Sequence, residues 1–513
     1  METETLTLKA KQAVCSLTDY AVKHLWLPQE DYLYKRNLLL DALNLDGPAE
    51  SALPSNTPFQ KILDTLTEYA LEAGICTQHT RLNFECRLTG ILTPDPSVVQ
   101  ARFDNTACEK DTAAACKEFF SLMVANNYIR KVDIDKNIMW EAPTEKGNIK
   151  ITINLAKPEK DPKAVLAASK EPQTAYPKCM LCVENEGFRG TLSKPARYNL
   201  RQIPVFLNNE LWHIQFSPYV YFDQHLICFS DEHRPMCLGQ ASFMRMLDFV
   251  ELFPHYFLGS NAPLPIVGGS ILAHDHYQGG LKVLPEMKAK DAKFYSHELY
   301  PDLTISRVDW FNSVIRIAGD KKQNVAMFAE HLYEVWQNYD DASVNIKSHT
   351  RSTPHNTITP IARMENGKFV IDMILRNNRT DKEHPFGIFH PAENLHNIKK
   401  ESIGIIEVMG LFILPGRLAA EGGSIRDILT GKTPLDFKAL SSPDHPLVKH
   451  VGMIAQLAND FGCAMDEEAA GEEITRYINN ACVEILKTTA VFKEDEKGLA
   501  AFDNFMSACG CAF

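Results

Sequence analysis

The spacing of apolar and polar positions changes period several times along the chain. Val14, Leu17, Ala21 and Leu25 recur every three or four residues, the stripe of a helix buried on one side. Residues 34–45 continue as a second short helix, stopped by Asp46-Gly47-Pro48. A third is predicted over 62–73, closed by Gly74. Pro94-Asp95-Pro96-Ser97-Val98 signals a further helix start, with Asp95 or Ser97 as the cap. Over 147–155 the period falls to two. Ile149, Ile151, Ile153 and Leu155 alternate with polar residues, which predicts a half-buried strand. The charged, proline-bearing run 157–163 reads as a linker and places a domain boundary near residue 165.

Short strands are predicted beyond it, over 211–216, 219–222 and 225–230, followed by a helix over about 243–253. Val325, Phe328, Leu332 and Val335 form another helix stripe, and 369–375 alternates as a strand. Residues 403–414 are apolar and fit either element. Ile474, Ile478, Cys482 and Ile485 return to helix spacing. The expectation is an α/β (α+β) chain in four parts: a mainly helical 1–165, a strand-rich 166–290, a second α/β part over 291–420 and a helical 421–513. No short-period repeat or low-complexity tract is present, which excludes a solenoid.

Composition narrows the classes. A chain of 513 residues can bury a large core and exceeds one typical domain. Its net charge of −12 argues against sequence-independent nucleic-acid binding, which needs clustered cations. No stretch approaches the roughly 20 apolar residues that span a bilayer. The start, Met1-Glu2-Thr3-Glu4, lacks the basic and apolar segments of a signal peptide, so a cytoplasmic protein without membrane partners is expected. The 13 cysteines are scattered and odd in number, which suits reduced thiols. Cys509 and Cys511 read as a frayed tail.

Candidate chemistry concentrates in 268–280. His274, His276 and Gln278 alternate between Gly268-Gly269 and Gly279-Gly280. In an extended segment these three side chains share one face, and Asp275 and Tyr277 share the other. The glycines let backbone approach a bulky group such as phosphate. Cys179-Met180-Leu181-Cys182 is a C-x-x-C, a zinc half-site or a redox pair. It follows Tyr176-Pro177-Lys178, a setting that fits zinc better than a thioredoxin-like helix start. Among the histidines downstream, His233 stands out in the turn 231–235, whereas His225 is expected to pack inside a sheet.

The run Ala273 to Gly280, A-H-D-H-Y-Q-G-G, resembles the H-x-H-x-Q active-site strand of galactose-1-phosphate uridylyltransferases. Chain length, Y-P-K-C-M-L-C-V-E-N-E-G over 176–187, and the stretches 143–145, 354–360 and 389–396 resemble the second, mainly bacterial class. More widely, 217–233 resembles the strand pair of the histidine-triad superfamily. The resemblance implies two histidine-triad-like halves flanked by helical ends, and a homodimer. It implies His276 as nucleophile, Cys179, Cys182, His233 and His274 as ligands of a structural zinc, and Gln278, Gly268 and Ser270 as phosphate contacts. Asn261 would touch the nucleotide. The implied reaction, part of galactose metabolism, moves a uridylyl group from UDP-glucose to galactose 1-phosphate through a uridylyl-histidine, by ping-pong kinetics.

The residues can support that chemistry. A neutral imidazole is a competent nucleophile near pH 7, and a backbone carbonyl on its second nitrogen would fix the tautomer. Gln278 can donate an N–H to a charged oxygen but cannot act as a general acid, which favours transfer over hydrolysis. Arg376, Lys399 and Lys400 are candidate cations for the sugar phosphate. Two other readings stand beside this one: a histidine-triad nucleotide hydrolase or nucleotidyl phosphorylase, and a non-catalytic binding protein stabilised by zinc.

Overall fold

Along the chain, helices at both ends flank a middle of mainly antiparallel strands, an α/β arrangement. The computed structural model describes residues 2–156, 176–269 and 271–513. The expected linker 157–163, the boundary near 165 and Ser270 lie outside the described residues. By internal contacts the chain divides into two units.

The first unit comprises, among the described residues, 2–135, 176–220 and Gln224–Arg234. Its helices include Glu2–His24, Tyr32–Ala42, Phe59–Glu72 and Pro96–Glu109. Val14, Leu17, Ala21 and Leu25 are all buried, so the predicted stripe is the packing face. Three antiparallel strands follow: Ile203–Leu207, Glu210–Phe216 and Leu226–Ser230. Phe216 packs between Phe119 and Phe120, at 5.1 and 5.0 Å, and fixes the strands to the helix Thr112–Ala125. Asn126 and Asn199 close the same junction, each side chain donating to the other's backbone carbonyl. The strand predicted over 219–222 is not formed. Ser217 N–H donates to the His225 carbonyl at 2.8 Å, so these residues belong to the hairpin connection, where Val220 takes φ 41°.

The second unit comprises, among the described residues, 136–156, Tyr221–Asp223, 235–269 and 271–513. Its main sheet runs Cys511–Ala512, Asp291–His297, Thr304–Val308, Val314–Gly319, Lys368–Asn377, Asn356–Glu365, Tyr256–Gly259 and His276–Leu281, each antiparallel to the next. The helices Gln240–Leu252 and Lys322–Gln337 lie on it. Cys509 and Cys511 therefore do not fray: Cys511 pairs with His297 as an edge strand, and both thiols are buried. A smaller sheet puts Gly147–Asn154 between antiparallel Ile138–Thr144 and parallel Leu411–Pro415. Flanked on both edges, Gly147–Asn154 buries Thr152 and Asn154 along with its isoleucines. The ambiguous 403–414 resolves into the short helix Ile405–Val408 and the strand Leu411–Pro415. Beyond Arg417 the chain is mainly helical, with Glu467–Thr489 presenting Ile474, Ile478, Cys482 and Ile485 to the core.

Candidate active site and metal centre

The strand His276–Leu281 begins two residues later than the alternation suggests. His274 precedes it in a bend, because the His276 Nδ1–H donates back to the His274 carbonyl at 2.8 Å. Only His276 and Gln278 therefore share a strand face. With Nδ1 carrying that proton, Nε2 of His276 keeps its lone pair. Burial lowers the ring's pKa to about 4, with the His274 carbonyl acting the other way, so the imidazole is neutral at pH 7. On the opposite face Tyr277 is fully buried and accepts from Arg245 Nη1 at 3.1 Å, and Asp275 lies 3.6 Å from the same guanidinium. The helix Gln240–Leu252 thus holds the strand from behind.

Gln278 opens into a cavity of about 260 Å³ lined by Asn261, Gly268 and Gly269 on one side and by residues between Glu401 and Glu407 on the other. Space is tight at both positions of the pair. A Cβ at 268 would sit 2.5 Å from the carbonyl oxygens of Ala262 and Leu264, and one at 269 would sit 2.7 Å from Asn261 Nδ2. Asn261 Oδ1 accepts from Ile405 N at 2.9 Å.

Cys179, Cys182, His233 and His274 each offer one ligand atom, and these atoms lie within 4.8 Å of one another. The two Sγ atoms are 3.6 Å apart, and Cys182 Sγ is 3.2 Å from His233 Nδ1. Corners of a tetrahedron around zinc lie about 3.3–3.8 Å apart, so the donor set fits that metal in spacing and in kind. The loop is shaped to match. Backbone N–H groups of Cys179 and Leu181 point at sulfur, and Asn185 donates to both cysteine carbonyls. Burial pushes the Cys182 thiol up to about 11.

The cations expected to hold a sugar phosphate are otherwise engaged. Lys399 is buried, 2.7 Å from Glu407 Oε1 and 2.9 Å from the Ile413 carbonyl. Arg376 is buried and donates to the Ile403 carbonyl at 2.7 Å. Lys400 lies over the Phe386 ring. None of the three lines the cavity. The cavity wall 401–407 was not anticipated, although Gly404 and Glu407 stand at capping-box spacing and Gly404 N donates to Glu407 Oε2.

Comparison with known proteins accounts for this combination. Residues 34–235 match the family model for the N-terminal domain of galactose-1-phosphate uridyl transferase, and 249–423 match the model for its C-terminal domain. The chain belongs to the galactose-1-phosphate uridylyltransferase family. The galactose-1-phosphate uridylyltransferase of Caldanaerobacter subterraneus subsp. tengcongensis is 43% identical over 96% of this chain and 97% of its own. That of Fusobacterium nucleatum is 41% identical over 98% and 100%, and that of Bacillus subtilis 41% over 96% of each. No solved structure matches. Members of this family are transferases of galactose metabolism, and so is this enzyme. The relatives align over nearly the full length, so the helical residues past 423 are common to them although neither family model reaches that far. Among the described residues no helix is long and apolar enough to cross a membrane.

Proposed function

We propose that the enzyme exchanges a uridylyl group between UDP-glucose and galactose 1-phosphate, with His276 as the covalent carrier. The observation that carries this is the His276 Nδ1–H bond to its own chain at His274, which leaves a neutral Nε2 as the nucleophile. Nε2 attacks the α-phosphorus, the P–N bond forms, and the bond to the glucose 1-phosphate oxygen breaks. The carbonyl of His274 stabilises the positive charge that the ring gains. A phosphate oxygen of galactose 1-phosphate then attacks the same phosphorus and frees His276. Both half-reactions use one site, hence ping-pong kinetics.

Gln278 donates to a non-bridging oxygen, and the backbone at Gly268, Gly269 and Ser270, with Asn261 beside it, receives the rest of the diphosphate. Sugar phosphates leave without a general acid, and no acid stands at Gln278 to activate water. A zinc ion held by Cys179, Cys182, His233 and His274 would be structural, since four protein ligands leave no open position. Homodimeric assembly and a cytoplasmic location belong to the same proposal.

Incubation with UDP-glucose alone tests it. One uridylyl group per chain is expected by intact mass, released on adding galactose 1-phosphate and mapped by digestion to His276. No label, or a label on any other residue, refutes the assignment. ADP-glucose offered separately should give no adenylyl-protein; labelling by it would favour a nucleotidyl phosphorylase. Metal analysis should find about one zinc per chain.

A further inference from the structure

The cavity wall facing the glycine pair is fixed at several points. Gly404 N donates to Glu407 Oε2 at 3.1 Å, and Glu407 Oε1 pairs with Lys399 Nζ at 2.7 Å. Lys399 also holds the Ile413 carbonyl, and Arg376 holds the Ile403 carbonyl. Lys399 and Glu407 are 6% and 8% exposed, so the pair sits in a poorly solvated place where losing either charge strands the other. From this wall Ile405 N–H reaches Asn261 Oδ1 at 2.9 Å. An asparagine amide is almost symmetrical in shape, and only its hydrogen bonds decide which end is a donor. With Oδ1 committed to Ile405, Nδ2 is turned toward Gly269, 2.7 Å from where a Cβ there would stand.

We infer that Lys399 and Glu407 are positioning residues for the transfer: their ion pair sets the 403–406 wall, and the wall sets the donor end of Asn261 toward the substrate phosphates. This rests on the uridylyl-histidine reading. The cations that looked like phosphate ligands in the sequence thus act at one remove, through a neutral amide. If the wall shifts, the amide turns and presents an oxygen to an anion, which repels it.

The test is single-turnover labelling of His276 by UDP-glucose, expressed per folded chain, with melting temperature measured alongside. Lys399→Met strands Glu407 and should slow labelling by about tenfold or more. Glu407→Gln, the milder second variant because it keeps an acceptor for Gly404 N–H, should slow it less. The double variant Lys399→Met/Glu407→Gln removes both charges and should recover most of the rate. Asn261→Ala should slow the wild-type enzyme but add little to Lys399→Met, because the amide is already misdirected there. Variants that melt lower yet label at the wild-type rate per folded chain overturn the inference. So do effects of Lys399→Met and Asn261→Ala that simply multiply. An unlabelled wild type is a different result, and refutes the underlying uridylyl-histidine reading.

Discussion

Two parts of one sheet bury polar side chains and use them in opposite ways. On His276–Leu281, His276 gives only Nδ1 to its own chain and keeps the Nε2 lone pair, and the half-buried Gln278 lines the cavity. On Val314–Gly319, Asn356–Glu365 and Lys368–Asn377, one buried carboxylate gathers two guanidinium groups. Asp372 takes Arg316 Nε at 2.8 Å and Nη2 at 3.1 Å, and also accepts from Arg363. Glu286, fully buried, stands 3.7 Å from Arg316. A buried polar residue is therefore not a functional signal in itself; the signal is a polar side chain placed where a ligand can reach it.

The contrast is broken most severely at His276. His276→Gly should lower turnover by about 10⁴-fold or more while the protein stays folded, and added imidazole should restore one half-reaction. Full activity in that variant would place the nucleophile elsewhere. The second set should respond in the opposite sense. Asp372→Asn leaves two guanidinium groups poorly compensated and should cost about 3–5 kcal/mol in urea unfolding, with labelling of His276 unchanged per folded chain. A stability cost without that separation would mean the two sets are coupled. On the rear face of the active strand, Tyr277→Phe removes one buried hydrogen bond and should cost about 1–2 kcal/mol, again sparing the chemistry.

The smallest effect is the most diagnostic. Burial raises the Glu286 carboxyl to about 8, with the charge of Asp372 adding to it and the arginines opposing, so it is neutral in the folded enzyme at pH 7. A folded-state value above the unfolded one gives stability that is complete below about pH 4.5 and is lost as pH rises through about 8. Glu286→Gln mimics the neutral form. It should change stability at pH 5 by less than about 1 kcal/mol and flatten that decline at higher pH, as thermal melting between pH 5 and 9 would show. An unchanged pH profile would mean that Glu286 is ionised.

What could be read from the sequence follows the range of the forces involved. The stripe at Val14, Leu17, Ala21 and Leu25 is local, and it is the face that is buried. The H-x-H-x-Q and C-x-x-C motifs are local too, and their residue types were legible with their spacing. Long-range pairing was not. Tyr219 and Tyr221 look like strand residues, yet a hairpin connection takes them. Cys511 looks like a loose end, yet His297, more than 200 positions earlier, supplies its partner. Lys399 and Arg376 carry the charge a phosphate needs, but their own partners, Glu407 and the Ile403 carbonyl, are set by a fold that no spacing rule reveals.

The lack of room at Gly268 and Gly269 has a consequence on another timescale. A single added methyl at 269 would strike Asn261, and one at 268 would strike two carbonyls, whereas Gly422, Gly423 and Gly452 have nothing within 4 Å of an added Cβ. In a saturation library selected for growth on galactose, alanine should vanish at the first two positions and persist at the other three. Asn261 in turn is tied to Ile405, so the neighbourhoods of residues 261 and 405 do not drift independently. Descendants of this gene that replace Asn261 must supply another acceptor for the Ile405 N–H.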